Sequence, residues 1–192
     1  MRIKSLAHFS AVAKWADHVN AVHASPVMAN WLTHRASLTA RLVARCKHFR
    51  VQRLHQGLSI CLADEYAAIG LQRPVKVVER EVVLRCDERA VVYAHTIVPT
   101  SANATQWPLF AALGEKSLGT TLFSDPLVER GALSYAKLRH THPLMKRIAA
   151  LQLVPGQEQE PENCLYARRS VFKRKGGCLL VTEVFLPGIG QL

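Results

Sequence analysis

The chain lacks most of the features that assign a protein to a specialised class at sight. Its five cysteines, Cys46, Cys61, Cys86, Cys164 and Cys178, are odd in number and contain no Cys-x-x-Cys pair. Neither a disulfide framework nor a tetrahedral zinc site is expected, and free thiols fit a reducing cytoplasm. No stretch approaches the roughly 18–20 continuous apolar residues that a membrane-spanning helix needs. The opening "MRIKSLAHFSAVAKWADHVN" is basic and partly apolar, but Lys14, Asp17 and His18 interrupt it before a secretory core develops. It reads as mature, helical sequence. The nine histidines are scattered, and the closest pair, His140 and His142, has a poor set of further ligands nearby. No metal site is expected.

What is present is an ordinary globular balance. Hydrophobic residues make up 49% and charged residues 20%, enough to build a core and too little charge for disorder. A single domain over residues 1–192 is expected. The net charge of +11 fits a nucleic-acid binder, a protein that attracts a small anion, or a solvated basic surface. The one tight basic cluster, "ARRSVFKRKGG" at Ala167–Gly177, looks like a strand running into a turn. It lacks the spread of basic and aromatic residues expected of a nucleic-acid interface, so no nucleic-acid partner is expected.

Local signals divide the chain into helices and strands. Ser25-Pro26 and Ser37 are helix starts, and Leu38, Leu42 and Cys46 recur at helical spacing. "FRVQRLHQGLSI", "VKVVEREVVLRC" and "AVVYAHTIV" read as strands, the last two joined by a turn at Asp87–Arg89. "WPLFAALG" reads as a short helix closed by Gly114, and "KSLGTTLF" as another beginning at Ser117. Asp125–Leu153 looks mainly helical with muddled periodicity. "VPGQEQEPEN" is a polar loop, and "CLYARRSVFKR" and "CLLVTEVFL" form a final hairpin through Gly176-Gly177. Sequential strands with helices between groups predict an α+β fold with an antiparallel sheet.

Two charges stand where charges should not. Side chains alternate across a strand, so Glu183 shares a face with Leu179, Val181 and Phe185, and Arg80 shares one with Val78, Val82 and Leu84. An unpaired buried charge costs several kcal/mol. Either Arg80 and Glu183 pair with each other or with backbone, or both point into a ligand cavity. In the second case Arg80 would clamp a carboxylate through its planar fork and Glu183 would accept a hydrogen bond from a hydroxyl.

From about Trp31 to Pro187 the chain resembles the chorismate pyruvate-lyase family. The stretches that carry the resemblance are "WLTHRASLTARL", "REVVL", "TIVPTS", "LGEKSLGTTLFSDP", "LYARRSVFKRKG" and "LLVTEVFLP". The resemblance implies one antiparallel sheet with flanking helices and an internal ligand site under helical flaps. It implies a carboxylate-binding Arg80, a Glu183 that meets the product hydroxyl, and ligand contacts made largely through backbone at Leu38 and Leu118. The implied activity is removal of pyruvate from chorismate to give 4-hydroxybenzoate for ubiquinone synthesis. It would use no cofactor, in a cytoplasmic monomer whose partners are chorismate and 4-hydroxybenzoate. Several features depart from the family pattern: the hairpin "DERAVVYAH", the stretch "TSANATQW", a long segment up to Asn163, and His95 where an Arg is usual.

His95 is a second candidate base and lies by alternation with Val91, Tyr93 and Ile97; a core role is the alternative. Arg168 and Arg169 point to opposite faces, so one of them at most faces the site, where it would meet the substrate's second carboxylate or serve structure. The same fold resembles the effector-binding domain of some bacterial transcription regulators, which would bind a small carboxylate without turning it over. The stretch before Trp31 is shorter than the DNA-binding domain such proteins carry, which favours the enzyme.

Overall fold

The computed structural model describes residues 12–103, 106–154 and 164–192. Seven strands form one antiparallel sheet: β1 (Phe49–Ile60), β2 (Lys76–Cys86), β3 (Arg89–Pro99), β4 (Glu129–Arg130), β5 (Ser134–Arg139), β6 (Cys164–Arg174) and β7 (Gly177–Phe185). Their order across the sheet is β1-β2-β3-β7-β6-β4, and β5 also pairs with β6. The helices are α1 (Pro26–Thr33), α2 (Leu38–Val43), α3 (Thr100–Asn103), α4 (Leu118–Ser124) and α5 (Pro143–Ala150). This is the α+β class with a single antiparallel sheet expected from the sequence.

The apolar runs of β2 and β3 have a physical cause. Both strands are covered on both faces, so almost every residue from Glu79 to Leu84 and from Val91 to Pro99 is buried and no clean polar alternation survives. Their hairpin turns at Asp87 and Glu88, both left-handed at φ 48° and 67°. Asp87 tolerates this because its side chain is fixed, accepting from the amides of Lys47 and His48 at 3.0 and 2.9 Å. The β6–β7 hairpin turns at Lys175 and Gly176, φ 49° and 79°, which shifts it one residue ahead of the expected Gly-Gly pair. Gly177 instead opens β7, where a Cβ would come within 2.5 Å of Gln106.

One face of the sheet carries α1, α2 and α4. Trp31, Leu32, Leu38 and Leu42 pack on Val51, Val82, Leu84, Val92 and Phe185, and Leu122 packs with Val98, Phe172 and Leu179. The other face carries α5, whose Leu144, Met145 and Ile148 cover Val83, Tyr93, Ala136, Leu138 and Val184. The serine caps form as expected: Ser25 Oγ accepts from Met28 N and Ser37 Oγ from Ala40 N.

Three expectations change. "WPLFAALG" is not a helix but a series of turns bonded i to i−3, Phe110 N to Trp107 O and Ala112 N to Leu109 O. Its buried residues, Trp107, Phe110 and Leu113, recur every three positions, which suits such turns better than a 3.6-residue period. Asp125–Leu153 is not mainly helical: β4 and β5 precede α5. Residues 1–11 of the opening stretch, 104–105 of "TSANATQW" and 155–163 of the polar loop lie outside the described residues. Residues 13–15 carry no helix, Ala16 bridges to Tyr135, and one 3-10 turn covers Val19–Val22.

Candidate functional site

Strand register lays the site out in rows. Across β2, β3, β7 and β6, Arg80, Thr96, Val181 and Ser170 stand side by side; the next row on the same face is Val82, Ala94, Glu183 and Arg168. Uncharged residues, Thr96, Val181 and Ser170 in the first row and Ala94 in the second, lie between Arg80 at one side and Glu183 with Arg168 at the other. The result is a cavity with a Thr96/Ala94/Val181/Ser170 floor, walled by Arg80 on one side and by Arg168 and Glu183 on the other. Leu38 and Leu118 line it from above.

Arg80 and Glu183 do not pair with each other. Strand β3 lies between β2 and β7, which separates their backbones by about two inter-strand spacings, roughly 10 Å. Arg80 is only 2% exposed. Its Nη2 donates to the carbonyls of Gly114 and Lys116, both at 3.0 Å, and its Nε has no partner. Among the described residues no carboxylate pairs with it. Burial, with repulsion from Arg53, lowers its pKa to about 10, so it stays cationic at neutral pH.

Glu183 pairs instead with Arg168, its cross-strand neighbour, Nε to Oε2 at 2.5 Å. Arg168 is fully buried. Its Nη1 donates to the carbonyls of Trp31, Leu32 and His34, at the C-terminal end of α1 where a cation is favoured. Arg168 is therefore the member of the Arg168–Arg169 pair that faces the cavity. Arg169 points to the other face, stacks on Trp15 at 4.2 Å and donates to Asp64 O. Each inward arginine also ties a covering segment to the sheet, Arg168 the end of α1 and Arg80 the turns before α4.

The two covers meet above the cavity. Thr39 Oγ1 and Ser117 Oγ lie 2.6 Å apart, and the helices approach so closely that a Cβ on Gly119 would sit 2.9 Å from Thr39 Oγ1. Leu38 and Leu118 are the first residues of α2 and α4. At that position helix geometry leaves the backbone N–H without an intrahelical acceptor.

His95 is not in this site. Its ring lies on the opposite face, 2.9 Å from Glu65 and 3.3 Å from Glu81. Arg147 from α5 bridges Glu79, at 3.1 Å, and Glu81. Burial alone would lower the pKa of His95, but the charge of Glu65, hydrogen bonds with Glu65 and Glu81, and the charge of Glu79 raise it to about 10. Burial pushes the Glu81 carboxyl up; hydrogen bonds with His95, Tyr93 and Arg147 overcome this and hold it at about 2. His95 is an ion-paired core cation. Glu79, Glu81 and His95 stand close enough to hold a metal ion, but the Arg147 guanidinium already bridges the two carboxylates.

One charged cavity residue escaped the sequence reading. Arg130 lines it from β4, in the segment expected to be helical, and a two-residue strand leaves no alternation from which to recognise it.

A family model described as "Chorismate lyase" matches residues 10–191. Proteins named "Probable chorismate pyruvate-lyase" are similar over most of the chain. The one from Cupriavidus metallidurans is 45% identical over 92% of this chain and 81% of its own. The one from Ralstonia nicotianae is 48% identical over 84% and 82%, and the one from Nitrosomonas europaea 43% over 88% and 95%. Among solved structures, the effector domain of PhnF from Mycobacterium smegmatis superposes with a TM-score of 0.52 at 14% identity, over 80% of this chain and 90% of that one. The C-terminal domain of the histidine utilization repressor from Pseudomonas syringae gives 0.53 at 10%, over 76% and 96%. At such identities the two structures establish a shared fold and nothing more.

Proposed function

This chain belongs to the chorismate lyase family, and from that membership we propose that it eliminates pyruvate from chorismate to leave 4-hydroxybenzoate, supplying ubiquinone synthesis. The observation that carries this reading is Arg80, a buried cation with no carboxylate partner among the described residues, looking across a covered cavity at Glu183. A ligand with a carboxylate at one end of a six-membered ring and a hydroxyl at the other would complete both.

In the proposed complex Arg80 takes the ring carboxylate, Glu183 accepts from the ring hydroxyl, and the free amides of Leu38 and Leu118 hydrogen-bond the ligand from above. Chorismate carries an enolpyruvyl ether beside the ring carbon that bears the hydroxyl and a hydrogen. The proton on that carbon leaves, the new ring double bond forms, and the ether C–O pair departs with enolpyruvate, which gains a proton at carbon to become pyruvate. Aromatisation drives the step. The chain's part is to hold one conformer out of water and to stabilise charge on the leaving oxygen.

The test is to mix protein and chorismate and measure both products. Equal amounts of 4-hydroxybenzoate and pyruvate are expected. Tight binding of 4-hydroxybenzoate with no turnover of chorismate would make the chain a binding module like the effector domains whose fold it shares.

A further inference from the structure

We propose that Arg130 binds the second carboxylate of the substrate, the one on the enolpyruvyl arm. The inference rests on the chorismate reading above and assigns the part of the substrate that the product no longer contains. In chorismate the ether carbon is next to the carbon bearing the hydroxyl. A substrate with its ring carboxylate on Arg80 and its hydroxyl on Glu183 therefore places the second carboxylate at the Glu183 end of the cavity.

Two arginines line that end, Arg130 and Arg168. Arg168 is held by the protein: Glu183 pairs with its charge and its Nη1 serves three carbonyls, which leaves only its buried Nη2 without a hydrogen-bond partner among the described residues. Arg130 is held less completely. Its Nε donates to Ser170 Oγ at 2.9 Å and its Nη1 to the Arg35 carbonyl at 2.7 Å. Those bonds fix the guanidinium, and the rings of Phe172 and Phe123, at 5.4 and 5.5 Å, hold it further. Yet no carboxylate among the described residues pairs with it, and Nη2 makes no hydrogen bond with them. Glu183 acts on the Arg130 charge only from a distance, and an oriented guanidinium with no carboxylate in contact and a spare nitrogen is suited to a carboxylate. Ser170 stands in the same row as Arg80, three strands away, so Arg80 and Arg130, neither in contact with a carboxylate among the described residues, flank the cavity as a dicarboxylate requires.

The experiment compares a ligand with two carboxylates and one with a single carboxylate. Arg130→Gln and Arg130→Lys are assayed for pyruvate release from chorismate and titrated with 4-hydroxybenzoate. The expected result for Arg130→Gln is a fall in kcat/KM of about 10- to 100-fold, with the Kd for 4-hydroxybenzoate within about threefold of the parent protein. Arg130→Lys, which keeps the charge, should recover part of the loss. An unchanged kcat/KM, or a parallel loss of product affinity, would overturn the proposal. If Arg130→Gln melts early, Arg130→Lys decides the matter by the same two readouts. Failure of the parent protein to release pyruvate would be a different result, refuting the functional reading itself and the subsite with it.

Discussion

Replacing Glu183 by glutamine removes one charge and leaves the shape of the cavity intact. In the empty protein the Glu183 carboxylate accepts from Nε of the fully buried Arg168. Removing one partner of a buried pair costs about 3–5 kcal/mol in general. Two features reduce the figure here. The glutamine Oε1 can still accept from Nε, and three carbonyls at the end of α1 already surround Nη1. The expected loss is about 1–3 kcal/mol, or roughly 3–10 °C in Tm for a chain of this size. Because the pair is buried, the loss should persist at high salt. The same change turns a charge-assisted bond to the ligand hydroxyl into a neutral one, weakening 4-hydroxybenzoate by about 1–3 kcal/mol. Calorimetric melting without ligand, paired with a product titration, reads both effects. A Tm unchanged within a degree would refute the view that Arg168 depends on Glu183. An unchanged Kd would remove Glu183 from the ligand contacts.

Further perturbations probe other parts of the structure. Arg80→Lys should weaken chorismate and 4-hydroxybenzoate alike by about 1.5–3 kcal/mol, since lysine cannot offer the planar fork; equal product affinity in parent and variant would rule Arg80 out as the clamp. Gly119→Ala should push α4 off Thr39 and speed product dissociation in stopped-flow chase, and an unchanged off-rate would show that the α2–α4 contact does not close the cavity. The His95 cluster predicts a pH profile. With its folded pKa raised to about 10 from 6.5, the His95 contribution is complete below about pH 6.5 and is lost as pH rises through about 10. Glu81, held at about 2 against 4.5, contributes fully above about pH 4.5 and loses its contribution as pH falls through about 2. Stability from this cluster should peak between about pH 4.5 and 6.5, and His95→Gln should flatten the alkaline limb of Tm against pH; a limb of unchanged slope would contradict the assignment. Divalent cations should leave Tm unchanged because Arg147 already bridges Glu79 and Glu81, and a saturable rise with any one metal would show that the arginine gives way.

Much of the site was legible in the strands alone. Side-chain direction along a strand has a period of two, so the sharing of faces by Arg80 with Val82 and by Glu183 with Val181 followed from local sequence. The separation of His95 from residues of even number on β3 followed in the same way. The serine caps and both hairpins were equally local. The segment from Asp125 to Leu153 was not legible, because β4 and β5 are short edge strands whose pairing with β6 supplies most of their order.

By itself, then, the sequence determined which residues are charged on apolar faces, where most strands and helix starts lie, and which family the chain resembles. It did not determine which charge meets which. That depends on strand order and register, and these are set by contacts between residues far apart in the chain. Inserting β3 between β2 and β7 separates Arg80 from Glu183 and leaves the first without a carboxylate partner among the described residues. Pairing β6 with β7 gives Glu183 to Arg168, and the edge strand β4 carries Arg130 to the same end of the cavity. Charges scattered along the chain come to line one cavity only through that arrangement, because Coulomb attraction acts over distances that tertiary structure alone defines.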